Sequence, residues 1–245
     1  MSAAIELRNV TKKFNEVVAV KKVSVSIEKG EIFGILGPSG SGKSTLLRIM
    51  DLLETPSEGS VLIDGKKASV GSPMTVQIRR RIGMVLQKPV VLNRSVANNL
   101  AYSLFIRGWD ENKIYSRVDE ELKKYGLLER KNKNARTLSG GEMQRLSFAR
   151  STVYEPKMLL LDEFAANLDP HNVALLEEQI KQYSSEDPSR TVVMVTHNVF
   201  QAKRLCNRIA LMWDGEAVEI SDKQTFFTNP KDPRSSAFVK GDLVY

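Results

Sequence analysis

The stretch GPSGSGKST occupies residues 37–45, directly behind the apolar run EIFGIL at 31–36. Its spacing, G-x-x-x-x-G-K-[ST], is typical of a loop that joins a strand to a helix. Gly37, Gly40 and Gly42 let the loop turn its N–H groups inward around an anion, and the helix that follows adds positive potential at its N-terminus. The stretch therefore predicts a cradle for the phosphates of a nucleotide.

Two side chains of this loop have predicted roles of their own. Lys43 reaches the β- and γ-phosphates, and the Ser44 hydroxyl coordinates Mg²⁺. A glycine-rich turn without a ligand fits less well, because an apolar strand precedes the loop and a helix with Leu46, Leu47 and Met50 follows it. The predicted nucleotide ligands comprise the whole loop: Gly37, Pro38, Ser39, Gly40, Ser41, Gly42, Lys43, Ser44 and Thr45.

Composition limits the class of protein. The chain has 245 residues, 42% of them apolar and 27% charged, which is enough for one large core or a core with a lobe. We expect no export signal, and apolar stretches such as MLLL at 158–161 are too short to span a bilayer. The protein is expected to be soluble by itself. The single cysteine, Cys206, excludes an internal disulfide, fits a reducing compartment and is predicted to pack in a core.

The formal net charge of +7 is compatible with a nucleic-acid partner. However, the basic residues are dispersed among acidic ones. The tightest basic run, IRRR at 78–81, has no aromatic residue beside it on which a base could stack. We therefore predict that the chain has no nucleic-acid partner.

The order of predicted elements favours an α/β fold with a mostly parallel sheet. Residues 5–10 and 23–28 alternate apolar and polar, which indicates an antiparallel N-terminal layer at one edge. The segment from about 89 to 155 has long helical periodicity and predicts an inserted helical lobe. The proposed division is a core of 1–88 and 156–229, a helical subdomain of about 89–155, and a weakly patterned C-terminal tail of 230–245. Buried strands are predicted at 31–36, 82–87, 157–163 and 191–197, helices at 43–52, 169–183 and 198–207, a short strand at 60–65, and a hairpin around Asp214-Gly215.

Two carboxylates follow the buried strand MLLL, at Asp162 and Glu163. A strand that ends in solvent with two surface acids is the plain alternative. Beside a phosphate loop, however, Asp162 is predicted to hold Mg²⁺, directly or through water. Glu163 is predicted to polarise the water that attacks the γ-phosphorus.

His197 and Gln87 close two further strands in the same way. Strand ends meet around the phosphates in such a sheet, so His197 is predicted to donate to the γ-phosphate and orient the attacking water. The Gln87 amide is predicted to reach Mg²⁺ or that water. The alternatives are a packed histidine and an ordinary polar strand end.

The segment LSGGEMQR at 138–145 contains a capping box, in which Ser139 and Glu142 start a helix. Gly140 and Gly141 leave the helix end bare, so that its N–H groups can approach an anion. A well-capped helix without a ligand is the alternative. Since the loop at 37–45 already provides one cradle, this second helix tip suits the nucleotide of another molecule.

These segments, with ANLD at 166–169, resemble the ATPase subunit of an ATP-binding cassette transporter. LSGGxxxR is close to diagnostic of that family, and the likeness runs from about residue 4 to 228. It implies a P-loop NTPase fold, ATP and Mg²⁺ as cofactors, and a head-to-tail homodimer with two ATP molecules between the subunits. Each ATP would contact the loop of one subunit and the helix tip of the other, which comprises Ser139, Gly140, Gly141 and Gln144.

The resemblance also implies that Phe14 stacks on adenine, although a core phenylalanine is an alternative, and that Asp169 communicates across the dimer interface. Phe164 stands where the family usually has proline, Asn198 where aspartate is common, and Phe14 where tyrosine is common. None of these departures removes a catalytic group. Phe164 is expected to alter the loop beside Glu163 and thereby to affect the hydrolysis rate.

The resemblance places the chain as a peripheral subunit on the cytoplasmic face of the cell membrane. Its partners would be transmembrane permease subunits and, indirectly, a solute-binding protein. The segment 87–100 looks like the region where a permease helix docks, with Val90, Val91 and Leu92 as apolar contacts; lobe packing is the alternative.

The free-standing subunit is similar to those of importers. The resemblance is greatest to subunits of oxyanion importers for tungstate, with molybdate and phosphate importers as near relatives, and it rests on the segments VLQKPVVLNRSVANNL and the terminal FVKGDLVY. The alternatives are an exporter subunit, a soluble cassette ATPase acting on nucleic acid or ribosomes, and a scaffold that senses nucleotide without hydrolysing it. The sequence has neither the tandem cassettes nor the long heptad run usual in the soluble class.

Overall fold

The computed structural model describes residues 3–166 and 168–242. One four-stranded antiparallel sheet forms its N-terminal layer, with the strand order β2-β1-β4-β5. Alternation along β1 places Ile5 and Leu7 in the core and Glu6 and Arg8 toward solvent. The strands of this sheet are β1 (Ala3–Phe14), β2 (Val17–Glu28), β4 (Glu58–Ile63) and β5 (Lys66–Ala68).

The second sheet has six strands in the order β10-β9-β3-β8-β7-β6. All neighbours pair in parallel except β10, which returns antiparallel to β9 through a hairpin. The strands β3, β7 and β8 are buried along their whole length, as expected of parallel strands covered on both faces. The strands are β3 (Ile32–Leu36), β6 (Ile82–Val85), β7 (Met158–Asp162), β8 (Thr191–Val195), β9 (Arg208–Trp213) and β10 (Glu216–Asp222).

Three consecutive helices, α3 to α5, lie between β6 and β7 without an intervening strand. Side chains of Ser95, Asp110 and Ser139 cap their N-termini by accepting backbone N–H bonds. The helices are α1 (Lys43–Met50), α2 (Pro73–Arg79), α3 (Val96–Phe105), α4 (Glu111–Lys124), α5 (Gly140–Thr152), α6 (Pro170–Glu186), α7 (Val199–Leu205), α8 (Lys223–Thr228) and α9 (Pro233–Lys240).

Two apolar cores cover the two faces of the six-stranded sheet. Residues of one strand alternate between them: Leu160 packs in the core shared with the antiparallel sheet and α1, whereas Leu159 and Leu161 pack in the core shared with α3 to α7. Cys206 is buried in the second core, as predicted, and burial raises the pKa of its thiol to about 12. The sheet is thereby fixed on both sides, and the carboxyl ends of its parallel strands meet at one edge.

The structure differs from the sequence-based elements in several places. The strands β1 and β2 are longer than 5–10 and 23–28, and the short elements β5, α2 and α8 were not predicted. The tail holds α9, which Asp232 caps and Phe238 anchors in the core; residues 243–245 lie outside the described part. No helix among the described residues is long and apolar enough to cross a membrane.

Candidate nucleotide-binding site

The loop after β3 takes a path that only glycine permits at two positions. Gly37 has φ 146° and Gly42 has φ 95°. A Cβ atom at Gly37 would lie 2.1 Å from the carbonyl oxygen of Met212, and one at Gly42 would lie 2.2 Å from that of Ala19. The glycines of the motif are therefore needed for the loop to run between β2 and β9.

Lys43 folds its ammonium group back into this loop. Its Nζ donates to the carbonyl oxygens of Gly37 at 2.9 Å and Pro38 at 2.6 Å. Burial lowers the pKa of Lys43, while the nearby carboxylates Glu163 and Asp162 act in the opposite direction. The loop thus holds a cation beside the carbonyl oxygens of Gly37 and Pro38.

Ser41 adds a second feature that fits an anion. Its hydroxyl is buried and has no hydrogen-bond partner among the described residues. An unsatisfied buried hydroxyl costs about 1–3 kcal/mol. A phosphate oxygen in the loop would satisfy it.

Ser44 and Asp162 meet at the edge where α1 begins and β7 ends. The Ser44 hydroxyl donates to Oδ1 of Asp162 at 2.8 Å. Burial raises the pKa of Asp162, and the hydrogen bond from Ser44 acts against that shift. A hydroxyl beside a carboxylate is a donor set that fits Mg²⁺, which uses one or two carboxylates together with substrate phosphates.

Glu163 lies between the two other polar strand ends. Nε2 of Gln87 donates to its Oε2 at 2.9 Å, and Nδ1 of His197 lies 3.6 Å from its Oε1. The backbone of Glu163 has φ 42°, and its N–H donates to the carbonyl of Val195 on β8 at 3.0 Å. The ends of β6, β7 and β8 therefore bring Gln87, Glu163 and His197 together.

The N-terminus of α5 forms the predicted capping box. The Ser139 hydroxyl accepts from the N–H of Glu142 at 3.3 Å, and Glu142 accepts from the N–H of Ser139 at 2.9 Å. A Cβ atom at Gly140 would meet nothing within 4 Å, whereas one at Gly141 would lie 2.6 Å from the Asn172 side chain. No hydrogen bond between described residues joins this tip to the loop at 37–45.

The structure places Phe14 at the end of β1 and Asp169 at the start of α6. Phe14 ends β1 with 42% of its surface exposed, and the Lys12 ammonium lies 4.7 Å from the ring centroid. Asp169 caps α6 by accepting from the N–H of Asn172 at 3.0 Å. Asn167, in the ANLD segment, lies outside the described residues.

The structure corrects the expectation for Gln144. Its side chain is only 2% exposed, and its Nε2 donates to the carbonyls of Phe164 at 2.7 Å and Leu86 at 3.3 Å. A partner's nucleotide cannot reach this amide. The helical spacing to the buried Phe148, four residues on, was the available signal that Gln144 faces inward.

Asn172 was missed by sequence reasoning. Its amide donates to Asp169 and its oxygen accepts from Arg145 on α5. It thereby joins the helix that starts at Gly140 to the start of α6. The spacing of Asn172 from Asp169, one turn along α6, is the one sequence signal for part of this contact.

A family model described as ABC transporter matches residues 20–166. This match spans the phosphate loop, the α5 tip and both carboxylates. The chain belongs to the ABC transporter family. As an ATP-binding subunit of this family, it hydrolyses ATP to power transport.

Curated ABC relatives align over almost the whole chain. The phosphate import ATP-binding protein PstB 2 of Natronomonas pharaonis is 36% identical, over 98% of this chain and 88% of the relative. The methionine import ATP-binding protein MetN 1 of Listeria monocytogenes is 39% identical, over 98% of this chain and 73% of the relative.

Solved ABC structures share the fold. The cbiO1 subunit of Clostridium perfringens, part of the ABC transporter complex cbiONQ, has a TM-score of 0.85 at 27% identity, over 97% of this chain and 95% of that one. The ATP-binding cassette MJ0796, a dimer in a post-hydrolysis state with ADP and Pi, has a TM-score of 0.82 at 33% identity, over 89% and 98%. The α/β P-loop fold with its antiparallel N-terminal sheet is therefore confirmed.

Proposed function

We propose that this chain is the ATP-hydrolysing subunit of an importer, with Glu163 as the general base. The observation that carries this assignment is the grouping of Gln87 and His197 around Glu163, beside the Ser44–Asp162 pair. A carboxylate flanked by an amide and an imidazole can accept a proton from a water that both neighbours orient. The scaffold hypothesis lacks support, because each group needed for hydrolysis is present at this edge.

Each residue has a defined part in the reaction. Loop 37–45 and Lys43 bind the phosphates. When they bind, the Lys43 ammonium gives up its contacts with two carbonyl oxygens and contacts phosphate oxygens instead. Glu163 takes a proton from the attacking water as the new bond to the γ-phosphorus forms and the bond to the ADP oxygen breaks. His197, 61% of whose side chain is exposed, donates to the γ-phosphate.

Mg²⁺ would be held by Ser44 and Asp162, with the Gln87 amide oxygen as a further ligand. When bound, it neutralises charge on the β- and γ-phosphates. Phe14 supplies an exposed ring on which the adenine can stack.

A second copy of the chain completes each site. Ser139, Gly140 and Gly141 face the γ-phosphate bound by the partner's loop, and the dimeric MJ0796 cassette with ADP and Pi supports this arrangement. The open space at Gly140 leaves room for such an approach. Asp169 then lies near the dimer interface. Each copy is divided into a core of 1–88 and 156–229 and a lobe of about 89–155, and both parts close on ATP.

The dimer works with permease subunits at the cytoplasmic face of the membrane, and a solute-binding protein delivers the cargo. Val90 is about half exposed and fits an apolar contact with a permease helix. Val91 is partly buried and packs against the core that contains α3 to α5, so it contributes less to such a contact.

The cargo proposed is an oxyanion, with tungstate as the first candidate. One relative is named for import of phosphate, which is an oxyanion, and another for import of methionine. The complex purified with its permease and reconstituted in vesicles should take up tungstate, molybdate or phosphate when ATP is supplied. Uptake of methionine alone would contradict the oxyanion assignment.

Replacing the base tests the catalytic proposal. Glu163→Gln keeps the side-chain shape but cannot accept the proton, so turnover should fall by about 100-fold or more while ATP still binds. Phosphate release measures turnover, and size-exclusion chromatography should detect an ATP-stabilised dimer. Glu178→Gln, at an exposed position on α6, is the matched control and should hydrolyse normally. Wild-type turnover in Glu163→Gln would show that another group is the base.

A further inference from the structure

Gln144 lies at a junction of three segments. Its helix, α5, begins at the tip proposed to face the partner's ATP. Its single amide nitrogen donates to the carbonyl of Leu86 at 3.3 Å, directly before Gln87, and to the carbonyl of Phe164 at 2.7 Å, directly after Glu163. One side chain therefore ties the backbones on either side of the Gln87–Glu163 hydrogen bond.

The two contacts use the full donor capacity of the amide. An amide NH₂ group has two N–H bonds, and here two backbone carbonyls accept them. Gln144 itself is only 2% exposed, and its contact with the Phe164 carbonyl is buried, whereas its contact with the Leu86 carbonyl is part-buried. Removing the donor would leave the buried Phe164 carbonyl without this hydrogen bond, at a cost of about 1–3 kcal/mol.

The segment on the Glu163 side needs such support. Glu163 has φ 42°, in the left-handed region that is costly for residues other than glycine. Its N–H is fixed to Val195 on one side, and the carbonyl of Phe164 is fixed by Gln144 on the other. The Phe164 ring is buried in the core that contains α5.

We infer that Gln144 is a positioning residue for ATP hydrolysis, which holds the Gln87 and Glu163 segments in register with α5. It touches neither the nucleotide nor the reacting atoms. A displacement of about 1 Å at a reacting group is enough to cost roughly 100-fold in rate. The inference rests on the proposed role of Glu163 as the base.

Gln144→Met tests this role, because methionine has a similar length but donates no hydrogen bond. In the full chain we expect kcat for ATP to fall at least about tenfold, while the Kd for ATP changes by less than about twofold. Gln144→His, which keeps an N–H donor at shorter reach, should recover part of the loss. If Gln144→Met does not fold, Gln144→Leu, a shorter apolar variant that also lacks the donor, replaces it, and wild-type kcat in folded Gln144→Leu would contradict the inference.

Ser151→Ala is the matched control. Ser151 is also buried on α5, and its hydroxyl donates to the carbonyl of Met84 on β6 at 2.8 Å. Ser151→Ala should lower the melting temperature about as much as Gln144→Met does, but it should change kcat by less than about twofold. A similar loss of kcat in both variants would reduce Gln144 to a stabilising residue and overturn the inference.

A double-mutant cycle measures the coupling between the activity losses of two substitutions, which a general loss of stability would not produce. Gln144→Met combined with Gln87→Ala should lose less activity than the product of the single losses, because both act on the same segment. Multiplicative losses would overturn the inference. If Glu163→Gln hydrolyses ATP normally, the proposed base is wrong. If Gln144→Met hydrolyses ATP normally but Glu163→Gln does not, Glu163 remains the base and the positioning role of Gln144 is wrong.

Discussion

At the scale of single residues, burial at the C-terminal end of α1 shifts a carboxyl group toward the neutral form. Asp51 ends α1 and is almost fully buried, and burial raises its pKa to about 6 against a small opposing effect of Arg79. The nearest Arg79 nitrogen is 4.0 Å away, and the C-terminal end of a helix disfavours negative charge. The charge on Asp51 therefore destabilises the fold at neutral pH.

The sign of the pH dependence follows from this shift. The folded state holds the Asp51 proton more tightly than the unfolded state, so the free energy of unfolding falls as pH rises from about 4 to about 6. Asp51→Asn should remove this part of the slope and stabilise the protein at pH 8 by about 3 kcal/mol, as measured by urea unfolding. Asp119→Asn, at a half-exposed position of α4 paired with Lys131 at 2.9 Å, should change stability by less than about 1 kcal/mol at either pH. An unchanged slope in Asp51→Asn would contradict the assignment.

At the scale of elements, the C-terminal helix α9 is tied to the sheet by two different means. Glu219 on β10 is buried and accepts the N–H groups of Lys231 and Asp232, each at 3.0 Å, which fixes the turn that leads into α9. Phe238 then inserts its ring, which is only 1% exposed, into the core. The tail that the sequence left weakly patterned is therefore part of the folded molecule.

Truncation of the Phe238 ring tests whether α9 contributes to stability. Phe238→Ala should lower the free energy of unfolding by about 3 kcal/mol, because it removes a buried ring and leaves a cavity. Val239→Ala, next to it and only partly buried, is the control and should cost about 1 kcal/mol or less. Equal small losses in chemical denaturation would show that α9 is docked weakly.

At the scale of the whole molecule, the proposed nucleotide site needs a second copy of the chain, whose α5 tip faces the loop at 37–45. A substitution at Gly140 distinguishes an effect on the dimer from an effect on the stability of the monomer. Its Cβ position is open, so Gly140→Asp should leave the monomer's melting temperature unchanged, and an acid in the first turn suits the helix. In the dimer, the new carboxylate would face the partner's γ-phosphate and repel it.

We therefore expect Gly140→Asp, made in the Glu163→Gln background, to abolish the ATP-stabilised dimer in size-exclusion chromatography. The loss of association should be at least about tenfold, because a like-charge contact at an interface costs several kcal/mol. Glu163→Gln alone is the control. A dimer that persists with both substitutions would place the α5 tip away from the triphosphate and remove the basis of the two-copy site.

Much of this protein is set by local sequence. Glycines at positions 37 and 42 dictate the loop because no other residue fits its backbone, and the side chains of Ser139 and Asp169 start helices because they satisfy orphan N–H groups. The carboxylates after MLLL were recognisable because a buried strand rarely ends in two acids without a use for them. The helix α9 was missed because its amphipathic pattern covers only two turns.

Contacts between distant segments required the tertiary structure. The order β10-β9-β3-β8-β7-β6 decides that Gln87, Glu163 and His197 meet, and no local rule contains that order. The direction of the Gln144 side chain depends on which face of α5 the core covers, and the link from Arg145 through Asn172 to Asp169 joins two helices. Turns and caps are fixed by energies within a few residues, whereas strand order and side-chain burial are fixed by packing of the whole chain.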